Sequence, residues 1–415
     1  MSRTFVTRGL FDKNFLVPQK ITRSDIITFV ITLFVRKNLV LRTYYLFLPS
    51  MNFKFFSILL LSVSFCFAQE STELKKYTLD ASQFYGSIIL HNPDISHLIT
   101  SHPSGVILSY NRKTYGAEEW EELYNYPDLG YSFIYQNGNN STLGDNYGLY
   151  AHYNFYFFKR NVQFRVGQGV SYASNPYDKE TNFRNNAYGS DILSSTYLMF
   201  NYHKENIFKG LGFKAGASII HYSNANFRAP NTSTNTLAFN AGFVYDLDGG
   251  KEIEYVHREK EKVTEPLRYN FALRTGINES DVINSGQYGF VVLSAYADKR
   301  VGRKSAIQLG TDVYFSNFLK ELIRYQSIAF PENDVAAADD YKRVGVFMGH
   351  ELFINSMSVI SQFGYYIYYP FDFEGRTYLR VGLKRYFGEK IYGAVTLKSH
   401  GAKAEAVEFG IGIRL

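Results

Sequence analysis

One pattern constrains this chain more than any other: an alternation of period two in segments of about ten residues, recurring to the final residue. In the last segment Val407, Phe409, Ile411, Ile413 and Leu415 form one row, and Glu408, Gly410, Gly412 and Arg414 form the other. Leu379, Val381 and Leu383 alternate with Arg380, Gly382 and Lys384; Ile391, Val395 and Leu397 alternate with Tyr392, Ala394 and Thr396. Successive side chains of a strand point to opposite faces, so each segment has one apolar face and one polar or small face. Composition agrees. The aromatics are 35 Tyr and 36 Phe against one Trp, with 32 Gly and 10 Pro, a mixture that favours strands over helices.

Sixteen such segments are expected, at 84–91, 105–115, 129–136, 148–158, 162–173, 193–203, 210–223, 236–247, 268–277, 287–299, 305–316, 341–354, 357–370, 377–387, 391–399 and 404–415. About ten residues is the length with which a tilted strand crosses a bilayer. A soluble sandwich also alternates, and loop lengths separate the two. With the N-terminus in the periplasm, connections after odd strands should be long and those after even strands short. The short ones, at 159–161, 204–209, 302–304, 355–356 and 388–390, follow even strands. The long ones, at 174–192, 224–235 and 317–340, follow odd strands. The stretches 116–128 and 248–267 depart from the rule. The expected fold is therefore all-β, a transmembrane antiparallel up-and-down β-barrel of about sixteen strands in the bacterial outer membrane. Leu415 ends it where such barrels usually end on an aromatic residue. The charged stretch 248–267 leaves two closures open: one large barrel with a periplasmic excursion, favoured as the simpler, or two tandem eight-stranded barrels. Either avoids an open sheet edge in lipid.

The net charge of +6 sits in residues 1–50, where Arg3, Arg8, Lys13, Lys20, Arg23, Arg36, Lys37 and Arg42 stand against Asp12 and Asp25. The remainder is neutral overall, without the clustered basic surface that nucleic-acid binding needs. Residues 1–50 read as an extension from a start assigned too early. Their apolar patch, Ile26 to Val35, is too short to span. Met51-Asn52-Phe53-Lys54, the apolar run Phe55 to Phe67, and Ala68-Gln69 follow the order of a secretory signal peptide, so residues 51–68 are expected to be removed. The single Cys66 lies within them, which excludes a disulfide framework; bulky Phe65 before it argues against a lipoprotein signal. The expected organisation continues with a barrel half at 69–247 carrying the site, a charged periplasmic connection at 248–267, and a second barrel half at 268–415.

One constellation carries chemistry. The seventh segment ends in His221-Tyr222-Ser223-Asn224-Ala225, followed by Pro230-Asn231 and Asn235. The apolar row Phe213, Ala215, Ala217, Ile219 continues by period two into His221 and Ser223, so both face lipid. The row Leu237, Phe239, Ala241, Phe243 of the next segment extends back to Asn235. A histidine and a serine two residues apart on that face are costly as decoration and suit a base and a nucleophile acting on a lipid ester. His91, His97, His102 and His152 are scattered without metal-ligand spacing, so neither metal nor cofactor is expected. Lys214, Arg380, Lys384 and Arg414 read as lumen-facing charges, and Trp120 with its flanking glutamates as a short helix in a turn.

The segment H-Y-S-N-A followed by P-N resembles the signature of the PagL-type lipid A deacylases, the acyloxyacyl hydrolase-like family. H-N-P-D-I-S-H (91–97), T-Y-G-A-E-E-W (114–120), L-Y-N-Y-P (123–127) and N-F-R-N-N-A-Y-G-S (182–190) are similar to its larger members. The resemblance covers roughly 84–247. It implies an outer-membrane serine esterase that removes ester-linked acyl chains from lipid A, with lipopolysaccharide of the outer leaflet as partner. It implies His221 as general base, Ser223 as nucleophile, and Asn224 and Asn231 as oxyanion holders. The family's acidic third member falls at Asn235. An amide can orient a histidine but cannot stabilise its charged form, and in a serine triad that exchange costs about 10⁴ in rate. Asp191 is a candidate substitute acid. The rival reading is a channel or surface-interaction barrel that keeps the motif as scaffold. N-terminal sequencing of the exported protein should give a mature start at Gln69; a retained Met1 rules out the signal reading.

Overall fold

Along the strands the side chains sort as the alternation demands. Leu379, Val381, Leu383, Phe409 and Ile411 are exposed, while Arg380, Lys384, Thr396 and Glu408 are buried. The apolar rows therefore face outward and the polar rows inward, the reverse of a water-soluble protein and the arrangement a barrel needs in lipid.

The computed structural model describes residues 76–258, 263–401 and 403–415; the expected extension 1–50 and signal 51–68 lie outside the described residues. The first eight strands are β1 (Tyr77–Ile88), β2 (Ser104–Arg112), β3 (Asp128–Asn137), β4 (Asp145–Phe157), β5 (Val162–Ala173), β6 (Ile192–Phe208), β7 (Leu211–Ser223) and β8 (Thr234–Asp246). The second eight are β9 (Arg268–Asn278), β10 (Tyr288–Arg300), β11 (Ser305–Ser316), β12 (Arg343–Ile354), β13 (Met357–Tyr368), β14 (Thr377–Phe387), β15 (Ile391–His400) and β16 (Lys403–Arg414). Among the described residues two α-helices lie in connections, α1 (Glu119–Leu123) and α2 (Asn317–Ala329). The short helix expected at Trp120 is α1. The sixteen strands match the expected segments closely, except that β1 begins well before residue 84. Among the described residues no helix is long and apolar enough to cross a membrane.

Closure takes the second of the two forms left open. β8 returns to pair with β1 and β16 with β9, giving two closed eight-stranded barrels where a single large one was favoured. The reason lies in the inward charges. An eight-stranded barrel is just wide enough for side chains to fill, and here they meet across the lumen. In the first barrel Asp80 on β1 pairs with Lys214 on β7 at 2.5 Å and with Arg165 on β5 at 2.7 Å. In the second, Arg380 on β14 pairs with Asp312 on β11 at 2.7 Å and with Glu408 on β16 at 2.6 Å. Lys384 reaches Glu351 at 3.0 Å, Arg343 reaches Glu405 at 2.6 Å, and Arg414 reaches Asp298 at 2.6 Å. Each of these partners lies in its own barrel, and tyrosines such as Tyr197, Tyr314 and Tyr378 fill the space between. The lumens are packed polar cores.

The connections keep the expected parity over most of the chain. Residues 158–161, 209–210, 301–304, 355–356 and 388–390 are short, and 89–103, 174–191, 224–233 and 317–342 are long. The connection 113–127 is long for its place and 401–402 short for its place. The stretch 248–267 joins the barrels: Val256 N donates to Tyr115 O at 2.8 Å and Arg258 N to the Glu122 carboxylate at 2.8 Å, holding it against the even-strand end of the first barrel. The barrels also meet directly there. Arg303 pairs with Glu119 at 2.5 Å, and Tyr124 Oη donates to Phe353 O at 2.7 Å.

Two outcomes are expected. A cysteine replacing Ile328, exposed on α2, should label on intact cells with a membrane-impermeant maleimide, while one replacing Asn355 should label only after lysis; the reverse would invert the topology. Arg380→Ala strips a wholly buried guanidinium from Asp312 and Glu408 and should cost about 3–5 kcal/mol, read as a lower temperature for loss of the heat-modifiable band in gels. An unchanged temperature would show that the network contributes little.

Candidate active site

Hairpin pairing assembles the first part of the site. β7 and β8 run in register with His221 opposite Asn235, and both side chains point outward from the barrel. His221 Nδ1 and Asn235 Oδ1 lie 2.8 Å apart. With the amide oxygen facing the ring, Nδ1 carries the proton and Nε2 keeps its lone pair, the tautomer a general base needs.

The second part is a tight turn. Phe227 N donates to Asn224 O at 3.1 Å around Ala225 and Asn226, whose φ values are 54° and 61°, a type I′ turn. Asparagine tolerates that conformation; an alanine there is strained. Ala225 N donates to Ser223 Oγ at 2.9 Å, which ties the strained residue to the serine. The Ser223 hydroxyl donates to Asn231 Oδ1 at 3.0 Å, and Asn224 N donates to the same oxygen at 2.9 Å. Asn231 Oδ1 therefore receives two protons, which sets its orientation: its Nδ2 turns away and donates to Asn226 Oδ1 at 3.3 Å. Asn224 Nδ2 donates to Arg228 O at 2.6 Å, leaving Asn224 Oδ1 buried without a partner.

The structure thus brings the five expected residues onto one hairpin in two clusters, His221 with Asn235 and Ser223 with Asn224 and Asn231. No hydrogen bond joins Ser223 to His221. The hydroxyl must turn from Asn231 toward the ring for the pair to form, as catalytic bonds that tighten only around substrate do. In this conformation the amide N–H groups of Asn224 and Asn231 point into the loop. Asp191 accepts from Ile192 N at 3.1 Å and makes no bond to His221.

Sequence reasoning took His91 as one of several scattered histidines, and the fold brings it to the site. Its Nε2 lies 3.0 Å from Thr232 O and 3.2 Å from Ser233 Oγ, and Ile89 N donates to Asn235 O at 2.8 Å. The other histidines are apart from it and from one another: His97 Nε2 meets Arg184 O, His102 Nδ1 meets Ser87 Oγ, and His152 sits in the lumen against Ser132 and Asn111. Two quoted stretches also converge on the hairpin. Residues 182–190 receive Thr232 N at Asn186 O and Ser233 N at Ala187 O, at 3.1 and 3.2 Å, and Tyr188 Oη meets Thr234 Oγ1 at 2.5 Å. Asn186 Nδ2 in turn donates to Asp94 O of the 91–97 stretch at 2.8 Å. Residues 114–127 lie at the opposite end of the barrel. A residue with no sequence signal, Glu279 of the second barrel, accepts from Ala229 N at 2.9 Å.

The outward surroundings of the hairpin change from polar to apolar along β7. Beside His221 the outward residues are polar: Thr196 stands opposite it on β6 and bonds Gln168 on β5 at 2.5 Å. One step down, Ile219 on β7 lies between Leu198 on β6 and Leu237 on β8. Ala217 lies between Phe200 on β6 and Phe239 on β8, which are 60% and 80% exposed. Ala215 follows, and Phe213 packs edge-on against Phe243 at 6.2 Å. Ala217, with Ala215 and Ala241 beyond it, is small beside Phe200 and Phe239, and Ile219 separates these residues from His221.

Fold and site together define an outer-membrane-type barrel whose candidate chemistry stands on its lipid face, at the edge of the apolar belt. The family description for lipid A 3-O-deacylase (PagL) matches residues 104–244, and that for the acyloxyacyl hydrolase C-terminal domain matches residues 267–415. The chain belongs to this PagL-type, acyloxyacyl hydrolase-like family, and the match extends over the second barrel, which the sequence motifs did not reach. Among solved structures the chain is similar to a mutant of Rh. blastica porin, at 10% identity over 83% of this chain and 99% of the porin with a TM-score of 0.16. It is also similar to Acinetobacter baumannii OccAB3, at 11% identity over 82% of this chain and 98% of that one with a TM-score of 0.20. Comparison with curated proteins gives no match.

Proposed function

We propose that this protein is an outer-membrane serine esterase that releases an ester-linked acyl chain from lipid A in the outer leaflet. The observation that supports the reading is the His221–Asn235 pair at the end of the outward apolar row of β7, with Ser223 two residues further along the same strand. The ester bonds of a membrane glycolipid lie at such a polar-to-apolar boundary. The acyl chain would lie along the outward apolar residues below His221, Ile219 then Ala217 then Ala215, with its carbonyl beside Ser223.

The chemistry follows from the two clusters. His221 Nε2 takes the proton of Ser223 as Oγ attacks the ester carbonyl. The tetrahedral oxyanion needs N–H donors, and Asn224 and Asn231 supply them once Ser223 turns to His221. That turn frees Asn231 Oδ1 of the hydroxyl proton and lets its amide reorient. The imidazolium then protonates the departing sugar oxygen, leaving an acyl-serine that water hydrolyses with His221 again as base. Asn235 holds the ring in the required tautomer. As a neutral amide it adds no charge stabilisation, so the expected turnover is slow. The ion pairs that cross each lumen, Asp80 with Arg165 and Lys214 and Arg380 with Asp312 and Glu408, favour this reading over a channel.

Purified protein with lipid A in detergent micelles should release 3-hydroxy fatty acid, and Ser223→Ala should abolish the release. Asn235→Ala should lower it about tenfold or more through loss of ring orientation, and Asn235→Glu should raise it by supplying the missing charge. Equal rates for both Asn235 variants and the parent would remove Asn235 from the site while leaving Ser223 and His221 in place.

A further inference from the structure

The second barrel has a face in the site of the first. The connection that follows β9 runs beneath the Ser223 turn. Glu279 N donates to Asn226 O at 2.9 Å, the Glu279 carboxylate accepts from Ala229 N at 2.9 Å, and Gln287 Nε2 donates to Phe227 O at 2.8 Å. Three consecutive links thus fall on residues 226–229, the segment between the serine turn and Asn231. Glu279 is 4% exposed. Its other oxygen accepts from Gly286 N at 3.1 Å, and among the described residues it has no ion pair. A buried carboxylate without a basic partner is costly unless backbone N–H groups satisfy it. Here those groups belong to its own loop and to the site loop of the other barrel.

The site loop needs such support. It holds a strained Ala225, and no strand ladder pairs residues 224–233. Ser223 Oγ is bonded to Ala225 N inside that loop, so a shift at 226–229 moves the serine.

We propose that the C-terminal barrel acts as a brace in cis for the acyl-transfer loop, with Glu279 as the positioning residue and Gln287 as its second tie. The inference rests on the esterase reading for its catalytic consequence but not for the contact itself. The hydrogen bonds of Glu279 go to Asn226, Ala229 and Gly286, not to Ser223 or His221. It acts through the loop, so its loss falls on the nucleophile's alignment and not on lipid binding.

The test uses the full chain in detergent micelles, comparing the parent with Glu279→Ala, Glu279→Gln and Gln287→Ala. Amide hydrogen exchange in residues 224–231 should quicken about tenfold or more in Glu279→Ala, with exchange in the strands unchanged. On lipid A, kcat per folded barrel should fall by a similar factor while KM stays within about twofold, and Glu279→Gln, which keeps one acceptor, should recover part of both. Unchanged exchange at 224–231 overturns the brace, whatever the activity. Faster exchange with unchanged kcat overturns the positioning role. If the parent itself releases no fatty acid and Ser223 resists a lipid fluorophosphonate, the esterase reading fails, and the exchange measurement still decides the brace. Should Glu279→Ala not fold, Glu279→Gln and Gln287→Ala carry both measurements.

Discussion

In hydrocarbon an unpaired backbone N–H finds no water, so a strand survives there only inside a closed ladder. This chain meets that constraint twice. β8 closes on β1 and β16 on β9, and every other feature depends on those two seams. Closure at eight strands makes a lumen narrow enough for Asp80 to reach both Arg165 and Lys214, and for Arg380 to reach both Asp312 and Glu408. These charges sit in low dielectric and are tolerable only because each meets its partner. With these charges paired inside, the chemistry proposed for the chain falls to the outer face and the rim.

The outer face is a demanding place for a serine and a histidine. The apolar row of β7 ends at Ile219, one step before His221, and Ser223 takes the last position of the strand. Register supplies the His221–Asn235 contact without any loop: pairing of β7 with β8 puts the two residues opposite one another. The serine is held differently, by a turn of left-handed residues and by an asparagine across the loop. One half of the site therefore has the rigidity of the barrel and the other half has the stability of its loop contacts. The second barrel touches only the loop half.

That division matters for why a chain of this family carries two barrels. The first contains all five residues the resemblance assigned. The second contributes a buried glutamate and a glutamine to the segment beside the serine, and its own lumen is filled. Its contacts at the other end, Arg303 with Glu119 and Phe353 with Tyr124, complete a two-ended attachment.

Much of this protein was legible in its sequence. Period two along β14 and β16 gave the faces of those strands before any fold was known, because alternation is local geometry and lipid tolerates only one sorting of it. The same rule turns His221 outward, and the motif H-Y-S-N-A points to the hairpin on which the proposed site rests. Charge signs alone did not show which acid each inward base would meet, so one barrel and two remained equally consistent with the alternation. Pairing across a lumen is a long-range event, Asp80 with Lys214 for instance, and it is decided only when the sheet closes. His91 and Glu279 were invisible for the same reason: neither lies near Ser223 in the chain, and only the folded rim puts one beside Ser233 and the other against Ala229. Local periodicity determined which way each residue faces; tertiary closure decided which residues meet, because a strand dictates direction while contact depends on where distant strands return.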